Sequence, residues 1–160
     1  MYTKDLEIIK TAIINEQEGY QFYLLAAEKA VDQEVKEVFL SLAGDEKEHE
    51  GWLRTVYREI LDKGQLNQML IEFSRSPGIF SFGKLKNTGG LTVSALHVGV
   101  MMEKESIDYY QLAAADTNIS ELKLLLESLA KWESTHLERL EQAYEFARDD
   151  WWEQQGFSTS

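Results

Sequence analysis

Glu46-x-x-His49 and Glu133-x-x-His136 each set a carboxylate and an imidazole three positions apart. On a helix that spacing is one turn on one face, where both side chains can reach the same metal ion. The two motifs lie 87 positions apart, and each follows a lone upstream glutamate, Glu16 or Glu103, by 30 residues. Four carboxylates and two imidazoles, arranged as two copies of one pattern, describe a two-metal site. Either motif alone is weak evidence, because Glu and His are common on helix surfaces; the doubled spacing is what gives it weight.

The repeat extends beyond the motifs. Ala12–Tyr57 laid over Gly99–Tyr144 without a gap matches at roughly a third of positions, too long a self-similarity for a chance motif hit. Glu18/Glu105, Tyr23/Tyr110, Ala26-Ala27/Ala113-Ala114, Ser41-Leu42-Ala43/Ser128-Leu129-Ala130 and Tyr57/Tyr144 align with the ligand candidates. A long unit present only twice argues for a duplicated half-domain and against an open solenoid, which needs at least about three repeats to cover its core.

Four segments carry an apolar seam in alternating steps of three and four, the period of an amphipathic helix. The first reads Leu6, Ile9, Ile13, Glu16, Tyr20, Tyr23, Ala27, Ala30, and the second Val35, Phe39, Leu42, Glu46, His49, Leu53, Val56, Ile60. The third reads Val93, Leu96, Val100, Glu103, Ile107, Tyr110, Ala114, and the fourth Leu122, Leu126, Leu129, Glu133, His136, Leu140, Ala143, Ala147. All six candidate ligands therefore fall on core positions. Ionised glutamates are almost never fully buried unless paired, and several in one core repel one another. The seams contain no Lys or Arg, so bound metal is the simplest compensation.

Composition narrows the partners. A chain of 160 residues with 44% hydrophobic content is one domain with a sizeable core. A net charge of −12 with no basic patch makes nucleic acid and anionic membrane poor partners and cations natural ones. Two divalent ions among four ionised glutamates would make the site neutral. With no cysteine, disulfides, zinc knuckles, iron–sulfur clusters and thiol catalysis are all excluded. The N-terminus has acids where a signal peptide has bases, and the most apolar stretch, Leu91–Met102, is too short to span a bilayer. A cytoplasmic protein is expected.

The boundaries predict two hairpins. Ala30-Val31-Asp32 and Asp116–Ser120 are short connections, with Asp32 and Ser120 as expected N-caps. Between the halves, Gly64–Gly90 holds the single proline, Pro77, and four further glycines, Gly78, Gly83, Gly89 and Gly90. It is long enough to run the length of a helix and start the third segment at the far end. Its apolar residues, among them Met69, Phe73, Phe80 and Phe82, predict a packed strap with a short helix. The expected organisation is a hairpin over 3–63, a crossover over 64–90, a hairpin over 91–150 and a tail over 151–160.

At these residues the chain resembles the diiron domain of rubrerythrin-type proteins in the ferritin-like superfamily, a group in which one Glu from each of two helices joins Glu-x-x-His from the other two. The resemblance covers roughly residues 4–147, most characteristically Asn15–Tyr23 and Asp45–Glu50. It implies an all-α, ferritin-like four-helix bundle made of two duplicated hairpins joined by a long crossover. It also implies two iron ions, with manganese or a mixed pair as the alternative metal. Glu46 and Glu133 would bridge the ions, Glu16 and Glu103 would be terminal, and His49 and His136 would each cap one. Tyr23 and Tyr110 are similar to tyrosines of the family that hydrogen-bond ligand carboxylates; the plainer alternative is aromatic core filling. These eight side chains are the expected catalytic set.

The implied activity is reduction of hydrogen peroxide or dioxygen, with electrons from a separate donor protein, since a rubredoxin-like tail needs cysteines that this chain lacks. One departure bears on it. Peroxidases of the family carry an extra glutamate one turn after the third-helix ligand, where this chain has Ser106, with Gly19 as its repeat mate. Glu18 and Glu105 lie about 200° around the helix from that face and do not replace it. Two other readings stand beside the oxidoreductase: a ferroxidase or iron-storage module, and a structural bundle without functional metal. A homodimer is expected, and the long crossover would permit its hairpins to exchange. His97 reads as an ordinary surface histidine and Glu50 as a solvated carboxylate, while Trp151 and Trp152 dock on either the bundle or a partner.

Overall fold

Each of the four seams is a helix in the computed structural model, which describes residues 2–63 and 89–156. The helices are α1 (Thr3–Lys29), α2 (Gln33–Lys63), α3 (Gly90–Asp116) and α4 (Ser120–Gln154), with no strand among the described residues. The fold is a ferritin-like four-helix bundle. Within it α1 and α2 form one hairpin and α3 and α4 the other, and the halves meet along α1/α3 and α2/α4.

The connections are capped from within the chain. Asp32 caps α2 as expected, its Oδ1 accepting from the Val35 N–H at 3.1 Å. Ser120 does not cap α4: it is the first helical residue, and extended Ile119 stands at the cap with no side chain able to accept. Thr117 instead holds the turn before the helix, its Oγ1 accepting from the Ile119 N–H at 3.1 Å and donating to buried Asp5 at 2.5 Å. That chain of bonds ties the second turn to the start of α1.

The direction of each helix follows from cross-bundle contacts. The Tyr109 hydroxyl donates to the Ile8 carbonyl at 2.7 Å, and Lys4 pairs with Asp116 at 2.7 Å, so the end of α3 lies beside the start of α1. On the other side Asp45 faces His136 and Ser41 faces Arg139, so α2 and α4 are antiparallel too. Consequently α3 begins at the end of the bundle opposite to where α2 stops. That is the relation between the second and third helices of the one-crossover topology. The expected strap helix and its apolar residues lie outside the described residues.

The buried apolar side chains fall into two clusters. One gathers Ile9, Leu53, Val56, Tyr110, Leu125 and Leu126; the other gathers Tyr23, Phe39, Leu42, Leu96, Leu140 and Ala147. The six candidate ligands occupy the helix turns between them, so polar chemistry is sandwiched by two dry layers. Truncating a fully buried leucine of either layer to alanine costs about 2–5 kcal/mol. α4 runs four residues past the expected hairpin boundary and takes both tail tryptophans into the helix. Trp151 lies with its indole nitrogen 3.6 Å from where a side chain on Gly90 would begin, closing the end of the bundle, while Trp152 is half exposed. No described helix is long and apolar enough to cross a membrane.

Candidate metal centre

One helix supplies each lone glutamate and one each Glu-x-x-His pair: Glu16 from α1, Glu46 and His49 from α2, Glu103 from α3, Glu133 and His136 from α4. None of the six is more than 4% exposed, so all lie in the core as the seams predict. Their donor atoms form two overlapping quartets, Glu16–Glu46–His49–Glu133 and Glu46–Glu103–Glu133–His136, each with its atoms within 4.8 Å of one another. Glu46 and Glu133 belong to both quartets. The other four residues belong to one each, which is the division of shared and terminal roles the resemblance implies. A single chain brings all six together.

Both imidazoles turn Nδ1 inward. His136 Nδ1 lies 3.1 Å from Glu133, 3.4 Å from Glu46 and 3.5 Å from Glu103. His49 Nδ1 lies 3.4 Å from Glu133 and 3.5 Å from Glu16. The rings stack 5.7 Å apart at 17°. The two tyrosines cross between α1 and α3: the Tyr23 hydroxyl donates to Glu103 Oε1, and the Tyr110 hydroxyl to Glu16 Oε1. They are therefore partners of the terminal carboxylates of the opposite helix, and each also fills core, Tyr23 stacking on Phe39 at 6.1 Å.

Several donor atoms have ionic neighbours but no hydrogen bond within the protein. Glu16 Oε2, Glu103 Oε2, Glu133 Oε1 and both nitrogens of His49 are buried without a hydrogen bond. Buried polar atoms are rarely left so, and the four of these that face the cluster, three carboxylate oxygens and His49 Nδ1, are what a hard or borderline divalent ion needs. The residues present fit a pair of such ions.

Electrostatics show how the cluster stands without metal. Burial, then repulsion from Glu133, Glu16 and Glu103, pushes Glu46 well above the usual carboxylate range. Burial, then Glu103 and Glu16, raises Glu133 to about 8. Burial also opposes ionisation of Glu16, but the proton shared from Glu46 and the His49 charge outweigh it and lower Glu16 to about 2. Glu103 is lowered likewise, burial being overcome by Glu133 and His136. Burial disfavours a charged His49, yet Glu16 and Glu133 raise it to about 9, and Glu133, Asp45 and Glu103 hold His136 well above the usual imidazole range against the same burial. Two carboxylates thus keep their protons and two give negative charge to two imidazolium rings. Protons do the balancing that metal would otherwise do.

The sequence reading missed Asp45. Its Oδ2 lies 3.0 Å from His136 Nε2, and burial's upward pull on its carboxyl is overcome by His136. The repeat could not flag it, because its mate is Trp132; its position directly before Glu46 was the available signal. Glu50 corrects an expectation. Only 4% exposed, it is buried rather than solvated, covered by Lys47 at 3.0 Å and Arg54 at 3.3 Å. It belongs to neither quartet. Arg139 is a buried cation on α4, but it faces Asp45 at 3.8 Å rather than the cluster. His97 is exposed against Tyr144, and Glu18 and Glu105 are exposed, so none of these three joins the centre. Ser106 is half-buried and Gly19 is buried, packed against the Glu46 carboxylate.

Bundle and carboxylate–imidazole cluster together define the class: a ferritin-like protein with a candidate dimetal centre. The chain belongs to the rubrerythrin family, whose model matches residues 7–144. Among solved structures it is similar to a hypothetical protein from Pyrococcus furiosus, at 23% identity over 90% of both chains and a TM-score of 0.70, a likeness of fold. No curated protein matches.

Proposed function

We propose that this protein is a non-haem diiron oxidoreductase that reduces hydrogen peroxide or dioxygen. The reading is carried by the two overlapping quartets of buried donors, which would give each of two ions an imidazole and carboxylates, with Glu46 and Glu133 common to both. Two ferrous ions bound there would supply two electrons, one each, and the protein-derived donors leave coordination positions for an oxygen species. The chain's own residues hold and orient. Glu46 and Glu133 would be shared by the two ions and Glu16 and Glu103 would each serve one, while the hydroxyls of Tyr23 and Tyr110 hold the Glu103 and Glu16 carboxylates. Tyrosine ionisation is opposed by burial first and then by Glu103 and Glu16, so both phenols stay protonated and act as donors. The two apolar layers exclude bulk water above and below. Electrons for a second turnover come from a separate donor protein, and iron is the metal we assign, with manganese as the competing occupant.

Stopped-flow mixing of the anaerobic diferrous protein with peroxide, and separately with dioxygen, tests this. Rapid growth of ferric absorption with one or both oxidants is expected; inertness to both would remove the oxidoreductase reading.

A ferroxidase is the second reading, and one observation favours it. A cavity of about 140 Å³ opens on the α1/α3 face beside the ligand-bearing turns, lined by Asn15, Glu18, Met102, Glu105 and Ser106. Carboxylates there suit an incoming cation better than peroxide. Ferrous iron added in excess with air would then be oxidised over many equivalents, and light scattering would show a larger assembly. Oxidation stopping at two equivalents with no assembly favours the peroxide and dioxygen chemistry.

A further inference from the structure

The internal repeat makes each half of the centre a control for the other. The six donors and both tyrosines are matched across it, but the neighbours of the imidazoles are not: Asp45 is matched by Trp132, and Trp52 by Arg139. Around His136, Nδ1 faces three carboxylates while Nε2 meets Asp45 Oδ2 at 3.0 Å, with Arg139 3.8 Å beyond. Around His49, Nδ1 also faces the cluster, 3.4 Å from Glu133 and 3.5 Å from Glu16, but Nε2 is buried without a hydrogen-bond partner. Two indoles occupy that side, with Trp52 5.1 Å and Trp132 5.3 Å from the His49 ring.

The difference bears on metal affinity. A carboxylate accepting from the outer nitrogen fixes the proton there, leaves the inner lone pair free, holds the ring and strengthens it as a donor. When a metal draws density from an imidazole, the outer N–H becomes more acidic and gains from an acceptor. His136 has one. At His49 the outer N–H is held among apolar faces, where an unmet donor is costly.

We propose that the two metal positions are unequal, the His136–Glu103 position being tight and filled first and the His49–Glu16 position weak and exchangeable. Asp45 is the positioning residue that sets the difference. The centre then has one resident ion and one that can leave. This rests on the dimetal reading above.

Anaerobic titration of metal-free protein with Co²⁺, followed by calorimetry and by the visible bands of the bound ion, tests it without any turnover. Two steps are expected, the first at least about tenfold tighter. Asp45→Ala should weaken the first step by about 10–100-fold and leave the second in place, so that the two merge. Should that variant fold poorly, His136→Gln and His49→Gln carry the test: the first should remove the tight step, the second the weak one. Two equal steps in the wild type, an equal loss at both on Asp45→Ala, or loss of the tight step on His49→Gln would overturn the proposal. A wild type that takes up no Co²⁺ would instead overturn the dimetal reading beneath it.

Discussion

Tyr23 on α1 donates its hydroxyl hydrogen to Glu103 on α3, and Tyr110 on α3 returns the same bond to Glu16 on α1. The terminal carboxylate of each half is thus held by a phenol from the other, which couples the two hairpins through the centre itself. Tyr23→Phe keeps the ring against Phe39 but removes a buried hydrogen bond to a charged acceptor, a loss of about 1.5–3 kcal/mol. For a chain of this size the melting temperature should fall by roughly 3–12 °C. Metal binding should weaken mainly at the Glu103 position, whereas Tyr110→Phe should weaken the Glu16 position. Thermal melts and Co²⁺ titrations of both variants check this; wild-type melts would reduce the tyrosines to core filling.

The metal-free protein should lose stability as pH rises. Glu133 is raised to about 8 from an ordinary 4.5, and His49 to about 9 from 6.5. In each case the folded state holds a proton that the unfolded chain has released. The stabilisation is complete below the ordinary value and is lost as pH climbs through the raised one. Glu16 works oppositely, its contribution being present above 4.5 and lost as pH falls toward about 2. Melting temperature without metal should therefore decline between pH 6 and 9. With saturating metal the decline should be much smaller, because ions replace the protons. Uptake at pH 7 should release protons, and apparent affinity should rise with pH over the same window. Pairs of melts with and without Co²⁺ at pH 6 and 9 decide it, and a metal-induced gain no larger at pH 9 contradicts the assignment.

Glu46→Gln separates the stability of the bundle from its capacity for metal. Glu46 keeps its proton in the metal-free protein, so a neutral amide of the same size replaces it with little disturbance. At pH 9 the metal-free variant should melt no lower than wild type. Because Glu46 sits in both quartets, both metal positions should weaken together. Glu16→Gln, touching one quartet, should cost one equivalent of two. Bound metal counted by atomic emission after desalting distinguishes these outcomes.

How much of this was legible in the sequence follows from which forces acted. Helix seams, hairpin pairing and the six donors could be read because burial repeats with the helical period and the duplication repeats the ligands. Asp45 was not legible, because it matters through one contact across the bundle and its mate, Trp132, shares no chemistry with it. Glu50 misled because a carboxylate paired at i−3 with Lys47 and at i+4 with Arg54 usually stays on a solvated face; the spacing shows the pairing but not the depth of burial. Ser120 misled because α4 starts one residue earlier than cap preference suggests, with Ile119 at the cap in a turn already held by the Thr117 bonds to Asp5 and to the Ile119 N–H.

Two glycines at helix interiors should respond in opposite ways to alanine. A Cβ on Gly51 would meet nothing within 4 Å, so Gly51→Ala keeps only the gain in helix propensity, about 0.5–1 kcal/mol. A Cβ on Gly99 would lie 3.2 Å from both methyl carbons of Leu140 and 3.5 Å from the Tyr23 ring. Leu140 and Tyr23 are fully packed, so neither can retreat, and the cost of overpacking, about 1–3 kcal/mol, exceeds the propensity gain. Gly99→Ala should melt lower than wild type, and Gly51→Ala higher by roughly 1–4 °C. Since Tyr23 holds Glu103, Gly99→Ala should also weaken metal at that position, whereas Gly51→Ala should leave the titration unchanged. If Gly99→Ala melts as high as Gly51→Ala, the packing of α3 against α4 at Leu140 is looser than these contacts require.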